Sequence, residues 1–362
     1  MTIVQYITPS RIGGAETYFL DLCAWLAKRG HRVIIVTKRD CRLRQEADKL
    51  KPLGVEVHGW YTRGKFDLRT LVRLVRLLKR EEAGVINTHL TTASWLGAWA
   101  GRLTGVPSVA WIHGRDKKTW FQFAERLIAV AKSVREFLVE QGVPENKIEL
   151  LYYGVDLRRF SPPNEQERAE AKRAFSLAPD VSAIAVVASL IERKGHRFLL
   201  EAVAQLAHPP QLLFAGEGPL EADLRAQSQA LGLEDRVRFL GFQSDIGRVL
   251  AAADIVCLPS LKEGLPISIM EAQAYALPIV AARTAGIPEV VHEGETGFLC
   301  EPGDMSSLRA ALERAAENPD KLRQIGKNGR ELIASHFERE ACLHRVEEFL
   351  LEVGGQKDAK KS

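Results

Sequence analysis

The sequence is poor in the features that build disulfide-linked, metal-centred or membrane-spanning proteins. Its cysteines are odd in number, widely spaced and form no C-x-x-C pair: Cys23, Cys41, Cys257, Cys300 and Cys342. This pattern argues against a disulfide framework or a zinc site and is typical of a reducing compartment. No apolar run reaches the roughly 18 residues that a membrane span requires. We therefore expect a water-soluble cytoplasmic protein.

Positive charge is concentrated in the first part of the chain. Residues 1–155 carry 25 Lys and Arg against 15 Asp and Glu, a balance of +10. Residues 156–362 carry 25 against 31, a balance of −6, which gives the net charge of +4. A basic half of this kind suits anionic lipid, nucleic acid or a phosphorylated acceptor as its partner.

Several motifs that would narrow the function are absent. The sequence has no D-x-D and no His/Asp/Glu cluster with metal-ligand spacing, so we expect no metal and no cofactor. It has no helix-turn-helix or base-reading motif, so we expect no nucleic-acid partner. The opening "MTIVQYITPS" lacks the basic region and cleavage site of a signal peptide and indicates a first strand.

What the sequence does contain is a repeated alternation of short apolar runs with amphipathic stretches. Near-continuous apolar strands separated by helices indicate parallel sheets that are buried on both faces. The length of 362 residues and a restart of the pattern in the second half predict two Rossmann-like doubly wound α/β domains. The predicted strands are 3–8, 32–37, 55–60, 84–89, 108–113 and 127–131, then 183–190, 211–216, 237–241, 254–260 and 278–283.

A Gly followed by a Pro-Pro pair in "YYGVDLRRFSPPN" separates the two halves. We therefore predict a first domain over 1–155, a hinge linker over 156–164 and a second domain over 165–330. Ligands of open parallel sheets bind beyond the carboxyl ends of the strands, which predicts a cleft between the two facing domains. The polar tail over 353–362 is expected to be disordered.

Two glycines, Gly13 and Gly14, follow the first predicted strand and precede a predicted helix. Glycine turns and helix amides together can bind an anion such as a phosphate. The commoner explanation of so short a motif is a turn that needs glycine only for its backbone angles.

Two cations, Arg193 and Lys194, follow the strand 183–190 and precede a helix. A compact ammonium and a planar guanidinium both suit a diphosphate. An isolated pair of loop cations is more often simply solvated.

The stretch "KEGLPISIME" places Glu263 and Glu271 on either side of a predicted helix start. Pro266 suits the first helical position and favours an extended Leu265, and the helix is expected to run to about residue 275. The amides from Ile267 onward then form a second anion site. Carboxylates accept hydrogen bonds from sugar hydroxyls. The alternative is a pair of glutamates that stabilise the helix dipole by ~0.3–1 kcal/mol.

Two histidines, His89 and His113, each end a predicted strand. A lone histidine is more often structural, but the cleft-edge position adds weight to a role in the site. We take His113 as a catalytic candidate and His89 as a candidate on the acceptor side.

A basic amphipathic helix is predicted near residues 66–82. Its apolar face is expected to consist of Leu68, Leu71, Val72, Val75 and Leu78. A ridge of arginines at helical spacing runs beside that face: Arg69, Arg73, Arg76 and Arg80. If the apolar face packs inward, the ridge is free to meet the anionic inner face of the cell membrane.

Taken in order, the motifs resemble those of the retaining GT-B nucleotide-sugar glycosyltransferases of group 1, which include lipopolysaccharide-core and mannosyl-lipid enzymes. The resemblance covers nearly the whole chain. It rests on "GGAE" (13–16), "HG" (113–114), "YGVDLRRF" (153–160), "RKG" (193–195), "GEGP" (216–219), "EGLPISIME" (263–271), "GIPEVV" (286–291) and "TGFL" (296–299).

The resemblance implies a role for each matched position. Gly14 would contact the donor diphosphate and Lys194 would neutralise it. Glu263 would hold hydroxyls of the transferred sugar and Glu271 the nucleotide ribose, while His113 would approach the reacting carbon. The loop that begins with Gly241 and Phe242 would lie near the base. A C-terminal helix over 331–352 would cross back to the first, acceptor-binding domain.

The sequence departs from the family pattern at two positions. Ser189 stands where the family often has an arginine, five residues before the lysine, and Arg193 is expected to supply the missing cation. Tyr153 stands where the family often has an asparagine.

The function predicted from the sequence is transfer of a sugar, with retention and without a metal, from a nucleotide sugar. We expect a UDP-sugar as donor and a glycan or lipid-linked acceptor, as in the synthesis of cell-surface polysaccharide or lipopolysaccharide. Two alternatives stay open: a UDP-sugar epimerase of the same fold, and a two-domain sugar-binding protein without catalysis.

Overall fold

The computed structural model describes residues 1–9 and 13–359, with side chains to residue 355. The chain forms two compact units. Unit 1 comprises Met1–Tyr153 with Glu340–Ser362, and unit 2 comprises Gly154–Arg339. Each unit is built on one parallel sheet.

Unit 1 contains a seven-stranded sheet with the order β3-β2-β1-β4-β5-β6-β7. Its strands are β1 (Thr2–Ile7), β2 (Arg32–Lys38), β3 (Glu56–Trp60), β4 (Val85–His89), β5 (Ser108–Ile112), β6 (Arg126–Ala129) and β7 (Ile148–Leu150). Its helices are α1 (Gly14–Lys28), α2 (Arg42–Asp48), α3 (Leu68–Arg80), α4 (Thr91–Thr104), α5 (Lys132–Glu140) and the C-terminal α14 (Arg339–Ala359), which begins at the last residue of unit 2. The central strands are buried along their whole length because helices cover both faces of the sheet.

Unit 2 contains a six-stranded sheet with the order β10-β9-β8-β11-β12-β13. Its strands are β8 (Ala183–Val187), β9 (Gln211–Ala215), β10 (Val237–Gly241), β11 (Ile255–Leu258), β12 (Ile279–Ala282) and β13 (Gly297–Cys300). Its helices are α6 (Glu165–Ala174), α7 (His196–Ala204), α8 (Glu221–Ala230), α9 (Ile246–Ala252), α10 (Ile267–Ala274), α11 (Ile287–Val290), α12 (Met305–Ala316) and α13 (Pro319–His336).

The predicted pair of doubly wound parallel sheets is confirmed, and every predicted strand coincides with a strand of the structure. Two strands, β7 and β13, were not predicted. They are only three and four residues long, and one carries a glutamate while the other begins with glycine. Such short edge strands lack the apolar periodicity on which the prediction depends.

The segment 156–164, expected to be a hinge, is held on unit 2 by hydrogen bonds. The Asp156 carboxylate forms an ion pair with Arg339 at 3.0 Å and accepts a hydrogen bond from the Arg158 N–H at 3.0 Å. The Arg330 guanidinium donates to the Phe160 carbonyl at 2.9 Å. The first segment of unit 1 ends at Tyr153, two residues before the predicted boundary at residue 155.

The C-terminal helix differs from its predicted bounds of 331–352. The structure has two helices there, α13 and α14, which are separated at Phe337 and Glu338. Val155 pairs with the backbone at this break, since its N–H donates to the Phe337 carbonyl at 2.9 Å and its carbonyl accepts from the Arg339 N–H at 3.1 Å. The tail expected to be disordered from residue 353 is helical to Ala359, and residues 360–362 lie outside the described residues.

Helix α14 is fixed to α1 of unit 1 through one buried carboxylate, Glu347. Its side chain accepts hydrogen bonds from the Trp25 indole at 3.2 Å, from Arg29 at 3.2 Å and from the His31 ring at 2.9 Å. Burial alone would raise the pKa of Glu347, but these three donors lower it below its usual range. The ionised glutamate therefore holds the two helices together.

Helix α3 buries a different face from the one predicted. Its buried residues are Thr70, Leu74, Leu77 and Leu78. Leu68 and Val72, expected to face inward, are 72% and 47% exposed. The arginine ridge thus lies beside exposed apolar side chains, and no helix among the described residues is long and apolar enough to span a bilayer.

Candidate functional site

The order of strands in unit 2 explains why distant motifs meet. In that sheet, β8 lies between β9 and β11, so the direction of strand succession reverses between β8 and β11. Open α/β sheets bind ligands at the carboxyl ends of the strands at such a switch point. The loop after β8 carries Arg193 and Lys194, and the loop after β11 carries Glu263. The topology therefore places the predicted cations beside the predicted carboxylate.

The Lys194 ammonium and the Glu263 carboxylate form a direct ion pair, with Nζ and Oε1 2.5 Å apart. Their side chains are only 13% and 6% exposed. The fully buried Ser260 hydroxyl donates to the same Oε1 at 2.7 Å. One carboxylate oxygen is thus held by two donors from neighbouring loops, which fixes both charges in a small region.

The lysine loop is pinned to the glutamate loop by backbone contacts. The Leu261 N–H donates to the Arg193 carbonyl at 2.8 Å. The Arg193 side chain is exposed, and its guanidinium donates to the Lys262 carbonyl at 3.4 Å. Gly195 has φ +73°, and a Cβ at this position would lie 2.0 Å from the Pro259 carbonyl oxygen. The "RKG" motif therefore requires glycine both for its backbone angle and for the close approach of the two loops.

Helix α10 starts one residue later than predicted. Pro266 is its N-cap, and Ile267 is its first residue. Leu265 is buried, at 5% exposure, and the Ile269 N–H donates back to the Pro266 carbonyl at 3.2 Å. The amide of Ile269 is therefore already used within the first turn, which leaves fewer amides for an anion than expected.

Of the two motifs downstream of α10, "GIPEVV" contacts this loop directly, and "TGFL" contacts "GIPEVV" through Thr296 and Val290. The Gly286 N–H donates to the Gly264 carbonyl at 2.8 Å, which ties "GIPEVV" to "EGLP". Gln273, fully buried on α10, donates to the Val290 carbonyl at 2.6 Å. The Thr296 hydroxyl accepts from the His292 N–H at 2.8 Å. Glu271 lies on the same helix as Gln273 and is half-buried.

The remaining candidates in unit 2 lie at the same edge of the sheet. Gly241 ends β10 with φ +63°, and the Phe242 N–H donates to the Glu217 carboxylate at 3.4 Å. Ser189, half-buried, follows β8, and its carbonyl accepts from the Ile191 N–H at 2.9 Å. The structure thus brings all the unit 2 candidates to the loops that follow β8, β10 and β11 and to α10.

In unit 1, the glycine turn is partly occupied by a side chain of the chain itself. Gly13 is the N-cap of α1, and Gly14 is the first helical residue. The Gly13 N–H donates to the Glu16 carboxylate at 3.0 Å. This capping arrangement satisfies the Gly13 amide, so the contact of that amide with a phosphate, expected from the sequence, would have to compete with Glu16.

His113, directly after β5, is half-buried and engaged on both ring nitrogens. Its Nε2 lies 3.3 Å from His89 Nδ1, and its Nδ1 is hydrogen-bonded to the Tyr153 hydroxyl. Burial lowers the pKa of His113 to about 4, so the ring is neutral at physiological pH.

His89 does not lie open at the sheet edge, where the sequence suggested an acceptor-side residue. Its side chain is fully buried, stacked on Trp111 at 15° and touched edge-on by Phe19. Burial, and then the neighbouring His113, lower the pKa of His89 well below its usual range. The ring packs against Phe19 of α1 and lies 3.3 Å from the His113 ring.

Some residues of the site were missed from the sequence. Ser260 gave only a weak signal, as a hydroxyl just after a buried strand, and Tyr153 was noted only as a departure from the family pattern. The buried Asn87 side chain lies 3.2 Å from the His89 ring and 2.8 Å from Gln5, and these two residues gave no signal, because a polar residue within an apolar strand has no characteristic spacing. Among residues 1–9 and 13–359, no three His, Cys, Asp or Glu side chains are grouped as metal ligands.

Two family models match the chain. One, described as "Glycosyl transferases group 1", matches residues 167–332, and the other, "Glycosyltransferase Family 4", matches residues 12–159. The chain is 32% identical to the putative glycosyltransferase EpsF of Bacillus subtilis over 92% of this chain and 94% of the relative. It is 29% identical to the UDP-Gal:alpha-D-GlcNAc-diphosphoundecaprenol alpha-1,3-galactosyltransferase of Escherichia coli, over 79% of this chain and 80% of the relative.

A solved structure supports the fold independently. Alr3699/HepE of Anabaena in complex with UDP-glucose superimposes with a TM-score of 0.88 at 23% identity, over 97% of this chain and all of that chain. The GT-B architecture inferred from the sequence is therefore confirmed. By its match to EpsF and its two family models, the chain belongs to the group 1 family of glycosyltransferases.

Proposed function

We propose that this glycosyltransferase moves a sugar from a UDP-sugar to a hydroxyl of a glycan or lipid-linked acceptor, with retention and without a metal. The product is proposed to be a precursor of cell-surface polysaccharide or lipopolysaccharide. The observation that carries the proposal is the ion pair between Lys194 and Glu263 at the switch point of unit 2.

The pair offers opposite charges to the two parts of a donor. Lys194 has three N–H donors, so it can hold Glu263 and a phosphate oxygen at the same time. Glu263 can accept from sugar hydroxyls while Ser260 and Lys194 fix its other oxygen. When the bond from the sugar to the diphosphate breaks, negative charge grows on the leaving oxygen, and a fixed cation stabilises it. Arg193, exposed on the same loop, adds a second cation in place of the arginine that Ser189 replaces.

The proposal of a UDP-sugar is supported by what related proteins use. The E. coli relative is named for UDP-Gal, and the Anabaena structure contains UDP-glucose. The direct test is a panel of UDP- and GDP-sugars incubated with the purified chain and a mixture of lipid-linked and soluble glycan acceptors. Release of UDP that depends on the acceptor supports the proposal. Turnover of GDP-sugars alone would contradict the choice of nucleotide.

Retention and metal independence have separate tests. The anomeric proton coupling of the product, measured by NMR before mutarotation, reports whether the linkage has the same configuration as the donor. An inverted product would overturn the proposed stereochemistry. Activity that survives exhaustive chelation supports a metal-independent site, whereas loss that added Mg²⁺ or Mn²⁺ restores would contradict it.

The two alternative functions are outcomes of the same assay. An epimerase interconverts sugars when it is given a nucleotide sugar and no acceptor, so a new sugar in that sample would favour it. A binding protein without catalysis would bind the donor and yield no product with any acceptor. The pairing of a cation with a hydroxyl-binding carboxylate favours transfer, because an epimerase needs acid and base groups beside the sugar.

For the acceptor side we propose that unit 1 docks on the anionic inner face of the cell membrane. The docking patch consists of apolar Tyr61, Phe66, Leu68 and Val72 and basic Arg69, Arg73, Arg76 and Arg80. Phe66 and Leu68 are 77% and 72% exposed, which is unusual for side chains of this size. Exposed apolar groups beside cations suit insertion among anionic headgroups.

Vesicle co-sedimentation tests the docking patch. Phosphatidylcholine vesicles with and without phosphatidylglycerol are compared for the wild type, for Arg69, Arg73 and Arg76 changed to Gln, and for Phe66 and Leu68 changed to Ser. A matched control changes three exposed arginines of unit 2, Arg173, Arg225 and Arg323, to Gln. We expect binding to anionic vesicles that both patch variants lose and the control retains. Equal binding to neutral vesicles, or equal loss in the control, would contradict docking through this patch.

A further inference from the structure

Five polar side chains form a continuous line inside unit 1, which we name the His113 chain: Gln5, Asn87, His89, His113 and Tyr153. Asn87 Nδ2 lies 2.8 Å from Gln5 Oε1 and 3.2 Å from His89 Nε2. His89 Nδ1 lies 3.3 Å from His113 Nε2, and His113 Nδ1 is bonded to the Tyr153 hydroxyl. The proposed chemistry of unit 2 uses none of these contacts.

The sheet register builds this line. Gln5 of β1 stands opposite Asn87 of β4, and His89 of β4 stands opposite Trp111 of β5. Because side chains alternate along a strand, Asn87 and His89 lie on the same face. His113 continues that face beyond the end of β5. Gln5, Asn87 and His89 are all fully buried, so the line begins inside the core and ends at the half-buried His113.

The direction of the Asn87 amide decides where each ring proton sits. With its nitrogen toward His89, as the structure has it, the amide donates, His89 Nε2 accepts and the His89 proton is on Nδ1, whereas the reversed amide would place that proton on Nε2. That Nδ1–H then donates to His113 Nε2, which must be unprotonated. The proton of His113 is consequently on Nδ1 and points to the Tyr153 oxygen. The orientation of the Asn87 amide thus determines the tautomer of His113, two hydrogen bonds away.

The ring planes fix the geometry as well as the protons. The His113 and Tyr153 rings lie within 8° of parallel, and Trp111 lies within 7° of Tyr153 and 15° of His89. Four rings therefore lie in nearly parallel planes with centroids 5.2–6.1 Å apart, and this packing restricts rotation of the imidazole. With both nitrogens engaged and the rotation restricted, His113 is not arranged as a freely exchanging acid or base.

We infer that His89 and Tyr153 are positioning residues that hold His113 as a neutral ring, protonated on Nδ1 and fixed in orientation. The inference rests on the proposed function and on the role that the family resemblance implies for His113. His113 would then serve transfer as a rigid, uncharged ring that does not exchange a proton. Tyr153, at a position where the family often has asparagine, gives this chain a phenol as the last member of the line.

The groups that face the line are few, which makes its protonation testable. His113 contacts His89 and Tyr153, and Tyr153 packs edge-on against Tyr18 of α1. Burial, and then the nearby Glu16 carboxylate, raise the pKa of Tyr153 well above its usual range, so its hydroxyl keeps its proton. We expect none of these groups to titrate between pH 6 and 8. The inference therefore predicts that His113 adds no pH dependence to the rate of transfer in that range.

The primary test is ¹⁵N NMR of the full chain labelled in histidine, which reports the tautomer without any substrate. We expect His113 and His89 to be protonated on Nδ1 in the wild type. His89→Phe keeps a flat ring in the stack but removes both hydrogen bonds, so His113 should change tautomer or titrate within an ordinary range. His89→Gln offers an acceptor and a donor in the same order and should restore the Nδ1 form. Exposed His208→Gln is the matched control.

Kinetics of the same variants separate positioning from a purely structural role. We expect His89→Phe to lower kcat about tenfold, to introduce a new pH dependence of kcat, and to leave UDP affinity unchanged. Tyr153→Phe, which removes a single oxygen, should lower kcat by about 3- to 10-fold and still fold normally. His113 protonated on Nε2 in the wild type would overturn the inference. An unchanged tautomer and unchanged kcat in His89→Phe and Tyr153→Phe would also overturn it.

The two readouts distinguish failure of this inference from failure of the proposed function. If no sugar transfer is found with any donor, the tautomers measured by NMR still decide whether the line positions His113. If transfer occurs but the tautomers are not as derived, only the present inference is wrong.

Discussion

Lys194 Nζ and Glu263 Oε1 lie 2.5 Å apart although 69 positions separate them in the sequence. Each residue was predicted to contact a different part of the donor, and the structure shows that each also contacts the other. The ion pair therefore links the two proposed contacts, because a displacement of either side chain also displaces the other. When a donor binds with its phosphate at Lys194 and its sugar at Glu263, the ion pair must stay formed.

Removal of the lysine should affect both stability and turnover. In Lys194→Met, the nearly buried Glu263 loses its charge partner, which should cost about 3–5 kcal/mol of unfolding free energy. The loss of a cation at the leaving diphosphate should lower kcat about 100-fold. Steady-state kinetics and urea unfolding measure the two effects.

Unit 2 provides a matched control for that variant. Lys172 is 12% exposed and pairs with Asp254 at 3.2 Å, in a region that precedes β11 and not at its carboxyl end. Lys172→Met should therefore destabilise the chain without the loss of kcat. A Lys194→Met enzyme with wild-type kcat would contradict the assigned role of the lysine.

Gly195 should not accept a side chain. In Gly195→Ala, the new Cβ would meet the Pro259 carbonyl at 2.0 Å, so the loop that carries Lys194 must move away from the Glu263 loop. We expect a lower melting temperature and a kcat that falls at least tenfold. Gly232→Ala is the control, since Gly232 has a similar φ of +67° and nothing within 4 Å of its Cβ. Equal losses in the two variants would show that backbone strain alone is responsible.

Stability should fall as the pH is lowered, in part through His196. This residue is 2% exposed, packs against Phe214, and has two ring nitrogens without hydrogen-bond partners. Burial, and then the charge of Lys194, lower its pKa from 6.5 to about 4. Between those two values the unfolded chain binds more protons than the folded one, so unfolding free energy decreases as the pH falls.

His196→Leu removes this group and should reduce the pH dependence. The contribution of His196 is fully present above pH 6.5 and is lost as the pH falls toward about 4. Between about pH 7.5 and pH 5, the unfolding free energy of unit 2 should fall by about 1–2 kcal/mol less in His196→Leu than in the wild type. The reason is that each pH unit over which the His196 pKa is shifted contributes roughly 1.4 kcal/mol. All six tryptophans lie in unit 1, so pulsed hydrogen exchange of α7 and β9 is the suitable probe. An unchanged difference would contradict the account.

The unit 2 site could be predicted from the sequence because it is built from local signals at strand ends. A buried strand followed by Lys194, and another followed by Glu263, are each visible in a short window. Their direct contact was not predicted, because it depends on β8 and β11 being neighbours in the sheet, and strand order is not encoded in periodicity. The hydrogen bond from Ser260 to Glu263 is a contact within one loop, three residues apart, and a hydroxyl after a buried strand gave only a weak signal for it.

The unit 1 site was predicted less completely, for a different physical reason. His113 was found because it follows a strand, but His89, predicted as an acceptor-side residue at the cleft edge, is fully buried and packs against Phe19 of α1. The side of a doubly buried strand on which a residue lies cannot be inferred from an apolar run, since both faces are covered. Helix α3 shows the same limit, because Leu68 and Val72 fit an apolar stripe and yet face outward.

The most direct test of the central claim is calorimetric binding of UDP and of a UDP-hexose from the panel to wild type and Glu263→Gln. The account assigns the sugar hydroxyls to Glu263 and the diphosphate to other groups. It predicts that the wild type binds the UDP-hexose more tightly than UDP, and that Glu263→Gln loses this difference while its affinity for UDP stays within about threefold. A variant that keeps the preference for the UDP-hexose would contradict the account, and so would one that loses UDP itself.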